Sequence, residues 1–320
     1  MQNALDKISE IGVLPVIKIE ELETAIPLAN ALRNGGINAI EVTVRNDIAF
    51  DAIRAITAEF PDMIVGAGTI VSTELVDQAM AAGASYVVAP GYNPKVVHYC
   101  IEKNDLIVPG CTTPAEIEIA IEAGLRTLKF FPAGPNGGAA ALKLLSGPFP
   151  QVKFVPTGGV DFTNLTEYAR LGCVAAVGGS FMAKADLIKA HEWDTITANC
   201  RKAVGVSLGF ELAHVGLNHE SEEAALKNAA AMDALFALGV RNGNSSAFCG
   251  KAVEFMKSMY YGTNGHIGFY TNSVMRAKAW FHNHSIPIRE ESVRVDGSGN
   301  MVSFYLQDEI GGFAVHVVKR

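Results

Sequence analysis

Short apolar runs alternate with helix-patterned segments at a steady interval between about residues 12 and 182, and this alternation constrains the fold more than any other feature. In chain order the runs are residues 12–17, 39–44, 64–69, 86–90, 106–111, 127–131, 154–158 and 175–180. Apolar strands separated by helices are typical of a parallel sheet covered by helices. Eight such units predict an α/β fold, a (β/α)8 TIM barrel. The alternative is an open doubly wound sheet, but no G-x-G-x-x-G motif follows the first run.

The rhythm changes after about residue 192, where a helical stretch leads into a segment with a repeated pattern. The matching starts of the two copies are Ala213-His-Val-Gly-Leu-Asn218 and Gly265-His-Ile-Gly-Phe-Tyr270. Each start is followed by a helical pattern and then by further strand patterns, which indicates duplication of one structural unit. We therefore predict a barrel over residues 1–192, a linker helix over residues 193–209, and a smaller α+β domain of paired βαβββ modules over residues 210–320.

Composition and charge exclude several classes of protein. A chain of 320 residues suits two domains. A formal charge of −7 and a pI near 5.6 do not fit the basic surface of a nucleic-acid-binding protein. The N-terminus has no apolar signal core and no apolar stretch is long enough to span a bilayer. We predict no nucleic-acid partner, no membrane association and, for a bacterial source, a cytoplasmic location. The cysteines lack C-x-x-C spacing and predict reduced, mostly buried thiols.

The sixth apolar run contains a lysine, Lys129, between leucine and phenylalanine. A strand buried on both faces should carry no isolated charge, because removing a charge from water is costly. One interpretation is that the side chain reaches past the strand end or pairs with a carboxylate. The other is a lysine that forms a Schiff base, because burial disfavours the charged form and leaves a nucleophilic amine.

Further polar residues follow other strands at the end where barrel enzymes carry their chemistry. Glu41 and Arg45 lie four residues apart at the end of the second run. They form either an ion pair at the barrel rim, or a proton-transferring carboxylate and a guanidinium that binds a substrate carboxylate. Thr69, at the end of the third run, can add a hydroxyl to that carboxylate site.

Two glycine-rich loops follow the seventh and eighth runs. They are Gly158-Gly159 and Gly178-Gly179-Ser180. Glycine is common at strand ends for backbone reasons alone, so either loop by itself is a weak signal. Together they occupy the region where barrels of this kind bind a phosphate group with backbone N–H groups, and we expect a phosphate site there.

A set of motifs lies in order along the first 185 residues or so: Ile40-Glu-Val-Thr-Val-Arg45, Gly66-Ala-Gly-Thr69, Pro109-Gly110, Lys129-Phe-Phe-Pro-Ala133, Pro156-Thr-Gly-Gly159 and Gly178-Gly-Ser180. This set resembles the class I 2-keto-3-deoxy-6-phosphogluconate (KDPG) and 2-keto-4-hydroxyglutarate (KHG) aldolases. It implies that Lys129 is the Schiff-base lysine and that Glu41 is the general acid/base. The substrate residues that it implies are Arg45 and Thr69 for the pyruvate carboxylate, Pro90 for the pocket wall, and Gly158, Gly159, Gly179 and Ser180 for the phosphate. Gly134 and Asn46 depart from the family, which commonly has Glu and Thr there.

This resemblance implies a keto-hydroxy acid substrate, no metal or organic cofactor for the aldolase, and a homotrimer. The expected reaction is cleavage of KDPG to pyruvate and glyceraldehyde 3-phosphate, or of 4-hydroxy-2-oxoglutarate to pyruvate and glyoxylate, or both. The alternative is a sugar-acid binding or sensory protein. The presence of Lys129, Glu41 and Arg45 together favours the enzyme, because a binding protein has no need of a buried amine.

The duplicated pattern over residues 210–320 resembles the vicinal oxygen chelate superfamily, which includes glyoxalase I and bleomycin-resistance proteins. The metal ligands of that superfamily tend to lie on the first and last strands of each module. The positions that match are His214, Glu254, His266 and His316. Imidazole and carboxylate groups suit a divalent metal such as Zn²⁺, Ni²⁺, Fe²⁺ or Mn²⁺. The alternative is that these are hydrogen-bonded strand residues of a domain that only packs against the barrel or a partner.

Overall fold

The computed structural model describes residues 4–297 and 299–320. The chain divides into two compact units, Met1–Ser207 and Leu208–Arg320. Throughout the described residues, every helix is too short or too polar to cross a bilayer.

Strands and helices alternate through the first unit, and each strand overlaps one of the apolar runs of the sequence. The strands are β1 (Val13–Ile17), β2 (Ala39–Thr43), β3 (Ile64–Gly68), β4 (Tyr86–Val88), β5 (Ile107–Val108), β6 (Thr127–Phe130), β7 (Lys153–Pro156) and β8 (Val177–Gly179). The helices are α1 (Ala4–Ile11), α2 (Ala25–Asn34), α3 (Ala49–Glu59), α4 (Thr73–Ala81), α5 (Pro94–Lys103), α6 (Pro114–Glu122), α7 (Gly138–Ser146), α8 (Leu165–Ala169), α9 (Ala185–Lys189) and α10 (Trp193–Leu208).

The strands of the first unit form a curled parallel sheet. Hydrogen-bonded neighbours follow the order β5-β4-β3-β2-β1-β8, and β6 pairs separately with β7. Single parallel bridges, Gly110 to Lys129 and Thr157 to Gly178, connect this pair to the strands beside it. The sheet therefore curls until its two ends are joined, and the predicted barrel is confirmed in its coarse form as a helix-covered, barrel-like α/β domain.

Apolar side chains fill the interior of the barrel near the beginning of its strands. Leu14, Val88, Val108 and Val155 are buried there, and Ile8 of α1 packs against the same cluster. Helix α1 directly precedes β1, so it covers the end of the barrel opposite to the loops in which the polar motifs lie.

Helix α10 coincides with the helix predicted as a linker. Its Thr197 hydroxyl donates to the carbonyl oxygen of Ala31 at 3.0 Å, and its Arg201 guanidinium donates to the carbonyl oxygen of Asn34. Cys200 is fully buried on this helix. Helix α10 therefore contacts α2, and all of it except Leu208 belongs to the first unit.

The second unit is mostly a β-sheet. Its strands are β9 (Glu211–Leu217), β10 (Val240–Asn242), β11 (Ser246–Cys249), β12 (Val253–Met256), β13 (Gly265–Thr271), β14 (Ile288–Val295), β15 (Met301–Ile310) and β16 (Phe313–Lys319). Its helices are α11 (Glu222–Phe236) and α12 (Val274–Asn283). The strand order is β10-β11-β12-β9-β13-β16-β15-β14, so the two copies meet at the antiparallel β9–β13 pair.

The sequence pattern gives no sign of β10 as a separate strand. All of its residues are exposed, and it pairs only with β11 at the sheet edge. A strand without a buried face has no apolar alternation.

The cysteines behave as predicted. All five are free thiols, and all are buried except Cys173, which is partly exposed.

A capping box begins α6, directly after the loop that follows β5. The Thr113 hydroxyl accepts from the Glu116 N–H, and Glu116 accepts from the N–H groups of Thr112 and Thr113 at 2.8 and 2.9 Å. Partial burial acts to raise the pKa of Glu116, but the hydrogen bonds from Thr112 and Thr113 outweigh it, so the pKa lies below its usual value.

Replacing Glu116 with Gln is expected to lower the free energy of unfolding by about 1 kcal/mol at neutral pH, because hydrogen bonds to a charged acceptor become neutral ones. A carboxylate with a lowered folded-state pKa stabilises the fold above its unfolded-state pKa of about 4.3, and this contribution is lost as the pH falls. The difference should therefore shrink in acid when urea unfolding is compared at pH 7 and about pH 3. Glu118→Gln, on the exposed face of the same helix, is the control. A difference that persists in acid would contradict the assignment.

Candidate active site

Lys129 and Glu41 form a buried ion pair across the barrel interior. Lys129 Nζ lies 3.0 Å from Glu41 Oε1, and the two side chains are 8% and 1% exposed. Their strands are not neighbours: β3, β4 and β5 separate β2 from β6 on one side, and β1, β8 and β7 on the other. Lys129 therefore pairs with a carboxylate, as the first interpretation of the sequence expected. The same position, buried beside a proton acceptor, is where the Schiff-base interpretation requires an amine.

Two glycines of β3 provide the space for this arrangement. A Cβ atom on Gly68 would overlap the Glu41 carboxylate, and a Cβ atom on Gly66 would overlap the ring of Tyr86. In the strand register Gly66 pairs with Glu41 on one side and with Tyr86 on the other. The Gly-Ala-Gly sequence of β3 thus leaves the interior free for side chains from the flanking strands.

Arg45 does not pair with Glu41, so the ion pair considered for the barrel rim is not formed. Its Nε donates instead to Thr69 Oγ1 at 3.2 Å. Thr69 has a backbone φ of +64°, a left-handed conformation that is strained for a β-branched residue. Strain of this kind concentrates at functional sites, where it holds a side chain in a required direction. The strand end therefore presents a guanidinium with a hydroxyl beside it.

A cavity of about 330 Å³ opens beside these residues. The predicted substrate residues that line it are Arg45, Gly158, Gly159, Gly179 and Ser180. Positive φ values of +87° and +78° at Gly158 and Gly159 explain the choice of glycine in that loop. The two predicted phosphate loops are thus brought together on one wall, with Arg45 in the same cavity.

The remaining predicted residues lie elsewhere. Lys129 and Glu41 line a second, mostly apolar cavity of about 10 Å³ inside the barrel. Thr69 and Pro90 are not among the residues lining the larger cavity. Pro90 instead packs against Gly110, because a Cβ atom on Gly110 would overlap the Pro90 carbonyl group.

Sequence reasoning missed polar residues of the region, among them Lys18 and Tyr86. Lys18 directly follows β1 and lines the larger cavity. Tyr86 lines the small cavity, and its hydroxyl has no hydrogen-bond partner among the described residues. Burial and the nearby Glu41 raise the pKa of Tyr86 well above its usual value, so it stays protonated. No motif marks either residue; only the strand order brings them to the site.

Comparison with known proteins agrees with this geometry. A sequence model of the KDPG and KHG aldolase family matches residues 5–199. The chain belongs to this aldolase family. The 2-dehydro-3-deoxy-phosphogluconate aldolase of Treponema pallidum is 44% identical over 198 residues, which cover 62% of this chain and 94% of that protein. The KHG/KDPG aldolase of Escherichia coli K12 is 42% identical over 192 residues, 60% of this chain and 90% of that one.

Solved aldolase structures share the fold of the first unit. The KDPG aldolase of Legionella pneumophila, solved with pyruvate captured as a covalent carbinolamine, has a TM-score of 0.61 and 39% identity, and the match covers 63% of this chain and 98% of that one. The Zymomonas mobilis enzyme, solved with 3-phosphoglycerate, has a TM-score of 0.59 and 35% identity over 63% of this chain and 95% of that one. The family match ends before the second unit begins.

The second unit brings together the residues predicted as metal ligands. The Nε2 atom of His214 lies 3.1 Å from the Nε2 atoms of both His266 and His316. Glu254 Oε2 lies 3.1 Å from His266 Nε2 and 3.4 Å from His214 Nε2. The four side chains come from the central strands β12, β9, β13 and β16. All of them therefore point at one spot on one face of the sheet.

Two glycines make this convergence possible. Gly216 pairs with Glu254 on one side and His266 on the other, and Gly268 pairs with His214 and His316. A Cβ atom on Gly216 would overlap the ring of His266, and one on Gly268 would collide with both neighbouring imidazoles. The repeated His-x-Gly sequence thus supplies an imidazole and the space beside it in each copy.

The protonation states of this cluster suit a cation. Burial, with the neighbouring histidines, lowers the pKa of His316 to about 3. Burial also lowers the pKa of His214. The Glu254 carboxylate acts to raise this pKa, and His266 acts to lower it further. Burial acts to raise the pKa of Glu254, but hydrogen bonds from His266 and Ser246 outweigh it and lower the pKa overall. The lowered pKa values of His214 and His316 favour neutral imidazoles, and the lowered pKa of Glu254 favours a carboxylate beside them.

Removing one partner of the barrel ion pair is expected to destabilise the fold strongly. Lys129→Met or Glu41→Met alone should cost about 3–5 kcal/mol of unfolding free energy, because each leaves an unpaired buried charge. The double variant should recover most of that loss, since neither charge remains. Urea unfolding of the four proteins measures the coupling between the two sites. Additive losses in the double variant would mean that the two groups do not interact as an ion pair.

Proposed function

We propose that the first unit is a (β/α)8 TIM-barrel class I aldolase that cleaves KDPG to pyruvate and glyceraldehyde 3-phosphate, 4-hydroxy-2-oxoglutarate to pyruvate and glyoxylate, or both. The observation that carries the proposal is the buried Lys129–Glu41 pair. A Schiff-base mechanism needs a sheltered amine with a proton acceptor within hydrogen-bond distance. Family membership and the Legionella pneumophila enzyme with pyruvate captured covalently support the same chemistry.

The first half of the mechanism forms the covalent intermediate. Glu41 accepts a proton from the Lys129 ammonium group, which leaves a neutral amine. The amine attacks the C2 keto carbon of the substrate to give a carbinolamine. Glu41 then returns a proton to the C2 hydroxyl, water leaves, and the C2–Nζ bond becomes an iminium. At 3.0 Å the carboxylate is within reach of these proton transfers, directly or through one water.

The second half uses the iminium as an electron sink. The Glu41 carboxylate removes the proton of the C4 hydroxyl, the C3–C4 bond breaks, and its electron pair moves into the iminium to give an enamine. The aldehyde product leaves. Protonation of the enamine at C3 and hydrolysis of the resulting iminium release pyruvate and regenerate Lys129. Each proton removed is returned in a later step, so the cycle needs no oxidant or reductant.

The substrate is held at its two ends in this proposal. Arg45 binds the carboxylate beside the keto group, with Thr69 adding a hydroxyl and Pro90 a wall. A guanidinium matches a carboxylate with two parallel hydrogen bonds. The phosphate lies against Gly158, Gly159, Gly179 and Ser180. The alternative, a sugar-acid binding protein, has no use for a buried amine paired with a base.

Incubation with pyruvate and borohydride is expected to leave one reduced adduct on Lys129, because hydride traps the iminium irreversibly. Peptide mass spectrometry identifies the modified lysine. Lys129→Ala should give none, whereas Lys153→Ala, at an exposed lysine of β7, should react like the parent protein. Glu41→Gln should lower kcat by about 100-fold or more, the usual contribution of a general acid/base. No adduct, or an equal adduct in Lys129→Ala, would refute the proposal.

For the second unit we propose a vicinal-oxygen-chelate-type domain of paired βαβββ modules with a divalent metal centre at His214, Glu254, His266 and His316. The convergence of these donors supports it, since a cation relieves the repulsion of facing lone pairs. His214, His266 and His316 each offer a ring nitrogen, and these three atoms all lie within 4.8 Å of one another, so one cation could be held by all of them. His266 must then carry its proton on Nδ1, which has no acceptor among the described residues. A bound metal would supply Lewis acidity to a ligand oxygen.

Protein purified without chelators or a histidine tag is expected to contain about one equivalent of a divalent transition metal by elemental analysis. His214→Ala should lose it, because His214 Nε2 lies 3.1 Å from the Nε2 atoms of both other imidazoles and its loss opens the cluster. His282→Ala, at an exposed histidine of α12, should keep the full amount. Full metal content in His214→Ala would refute this ligand set.

The homotrimer and the cytoplasmic location remain predictions. Light scattering would test the homotrimer.

A further inference from the structure

We propose that Ser246 is a specificity-determining residue of the second unit, because it makes the Glu254 carboxylate present one oxygen, rather than two, to a cation held by the histidine cluster. The inference rests on the proposed metal centre and adds to it a residue that is not one of the four donors. The Ser246 hydroxyl donates a hydrogen bond to Glu254 Oε1. The other oxygen of the same carboxylate, Oε2, lies 3.1 Å from His266 Nε2 and 3.4 Å from His214 Nε2. The two oxygens therefore have different partners, a hydroxyl for one and imidazoles for the other.

The sheet register fixes Ser246 beside the carboxylate. Strand β11 pairs antiparallel with β12, and Ser246 is opposite Met256, two residues beyond Glu254. Residues two apart on a strand point to the same face, so Ser246 and Glu254 are diagonal neighbours on one face of the sheet. Ser246 is 7% exposed, and a hydroxyl buried to that degree is costly without a hydrogen-bond partner. The Glu254 carboxylate is that partner, so both groups gain from the contact.

Rotation about the last side-chain bond of Glu254 decides how its carboxylate binds a cation. This torsion has a broad preference in glutamate, so a free carboxylate can present one oxygen or both. The hydrogen bond from Ser246 restricts the torsion, and the Glu254 side chain is only 13% exposed, so little solvent competes for the carboxylate. Oε1 is thereby held toward Ser246, while Oε2 faces His266 and His214.

The second module provides an internal comparison. Ser303 on β15 pairs with Val318, two residues beyond His316, so it has the same diagonal relation to His316 that Ser246 has to Glu254. The duplicated fold thus places a serine beside the last donor of each module. An imidazole presents a single nitrogen to a cation, so Ser303 has no pair of oxygens to restrict. Selection between one oxygen and two is therefore expected of Ser246 and not of Ser303.

Cations differ in how they use a carboxylate. Imidazole nitrogens suit Zn²⁺, which is usually held by four donors, whereas Mn²⁺ prefers oxygen ligands. The imidazoles of the cluster with one carboxylate oxygen make a set of four donors that fits Zn²⁺. Freeing the second oxygen would add an oxygen donor and so improve the set for Mn²⁺ relative to Zn²⁺. Ser246 should accordingly raise the preference of the site for Zn²⁺ over Mn²⁺.

The test compares Ser246→Ala with Ser303→Ala in the full-length protein. Metal-free protein is titrated with Zn²⁺ and, separately, with Mn²⁺ in competition with a chromophoric chelator, and His214→Ala gives the background from other sites. Ser246→Ala should bind Zn²⁺ about 10-fold to 100-fold more weakly, the usual loss when the hydrogen-bond partner of a ligand is removed. Its affinity for Mn²⁺ should change less than about threefold, so the preference for Zn²⁺ falls at least about threefold. Ser303→Ala should keep both affinities, and Ser246→Thr, which retains the hydroxyl, should keep the preference.

Circular dichroism of the metal-free proteins checks that each variant is folded. Should Ser246→Ala not fold, Ser246→Cys, which keeps a weaker donor of similar size, should lower the preference for Zn²⁺ in the same direction. An unchanged preference in the folded variant would overturn the inference and leave the metal centre intact. Equal weakening of both cations would also overturn it, because a general structural role predicts no change in selectivity. If the parent protein binds neither cation more tightly than His214→Ala does, the metal centre itself is refuted and the inference with it.

Discussion

The ion pair between Lys129 and Glu41 links the fold of the first unit to its chemistry. A buried charge persists only when a partner neutralises it within hydrogen-bond distance. Here the partners come from β6 and β2, which lie on opposite sides of the ring of strands and meet at 3.0 Å only because the sheet closes. An open sheet of the same strands would leave both charges unpaired. The buried ion pair and the closed sheet therefore require each other.

Glycine has the same role in both units, which is to leave space for polar side chains on neighbouring strands. In the first unit Gly68 leaves space for the Glu41 carboxylate. In the second unit Gly216 and Gly268 each lie between two residues of the histidine and glutamate cluster in the strand register. A Cβ atom at any of these positions would overlap the neighbouring carboxylate or imidazole group.

The sequence predicted the elements that depend on local pattern. Apolar runs gave every barrel strand, and the single lysine of β6 marked the site because a charge there contradicts burial. Local pattern could not predict the ion-pair partner of Glu41. Arg45 is only four residues away in sequence and Lys129 is 88 residues away, yet the carboxylate pairs with the lysine. Lys18 carried no signal, since a lysine after a strand is ordinary until the neighbouring loops are known. The edge strand β10 has no buried face to create a pattern.

The two cavities lie toward different ends of the barrel. Lys129 and Glu41 line an apolar space of about 10 Å³, barely large enough for one water, whereas Arg45 and the glycine loops line one of about 330 Å³. Leu5 and Ile8 of α1 also line the small cavity, together with apolar residues of the barrel core, so this cavity lies on the α1 side of the ion pair. Apolar packing closes that side. In the proposed mechanism the substrate must therefore approach Lys129 from the loop end of the barrel, where Arg45 and the glycine loops lie, and it meets the Glu41 carboxylate beside the amine.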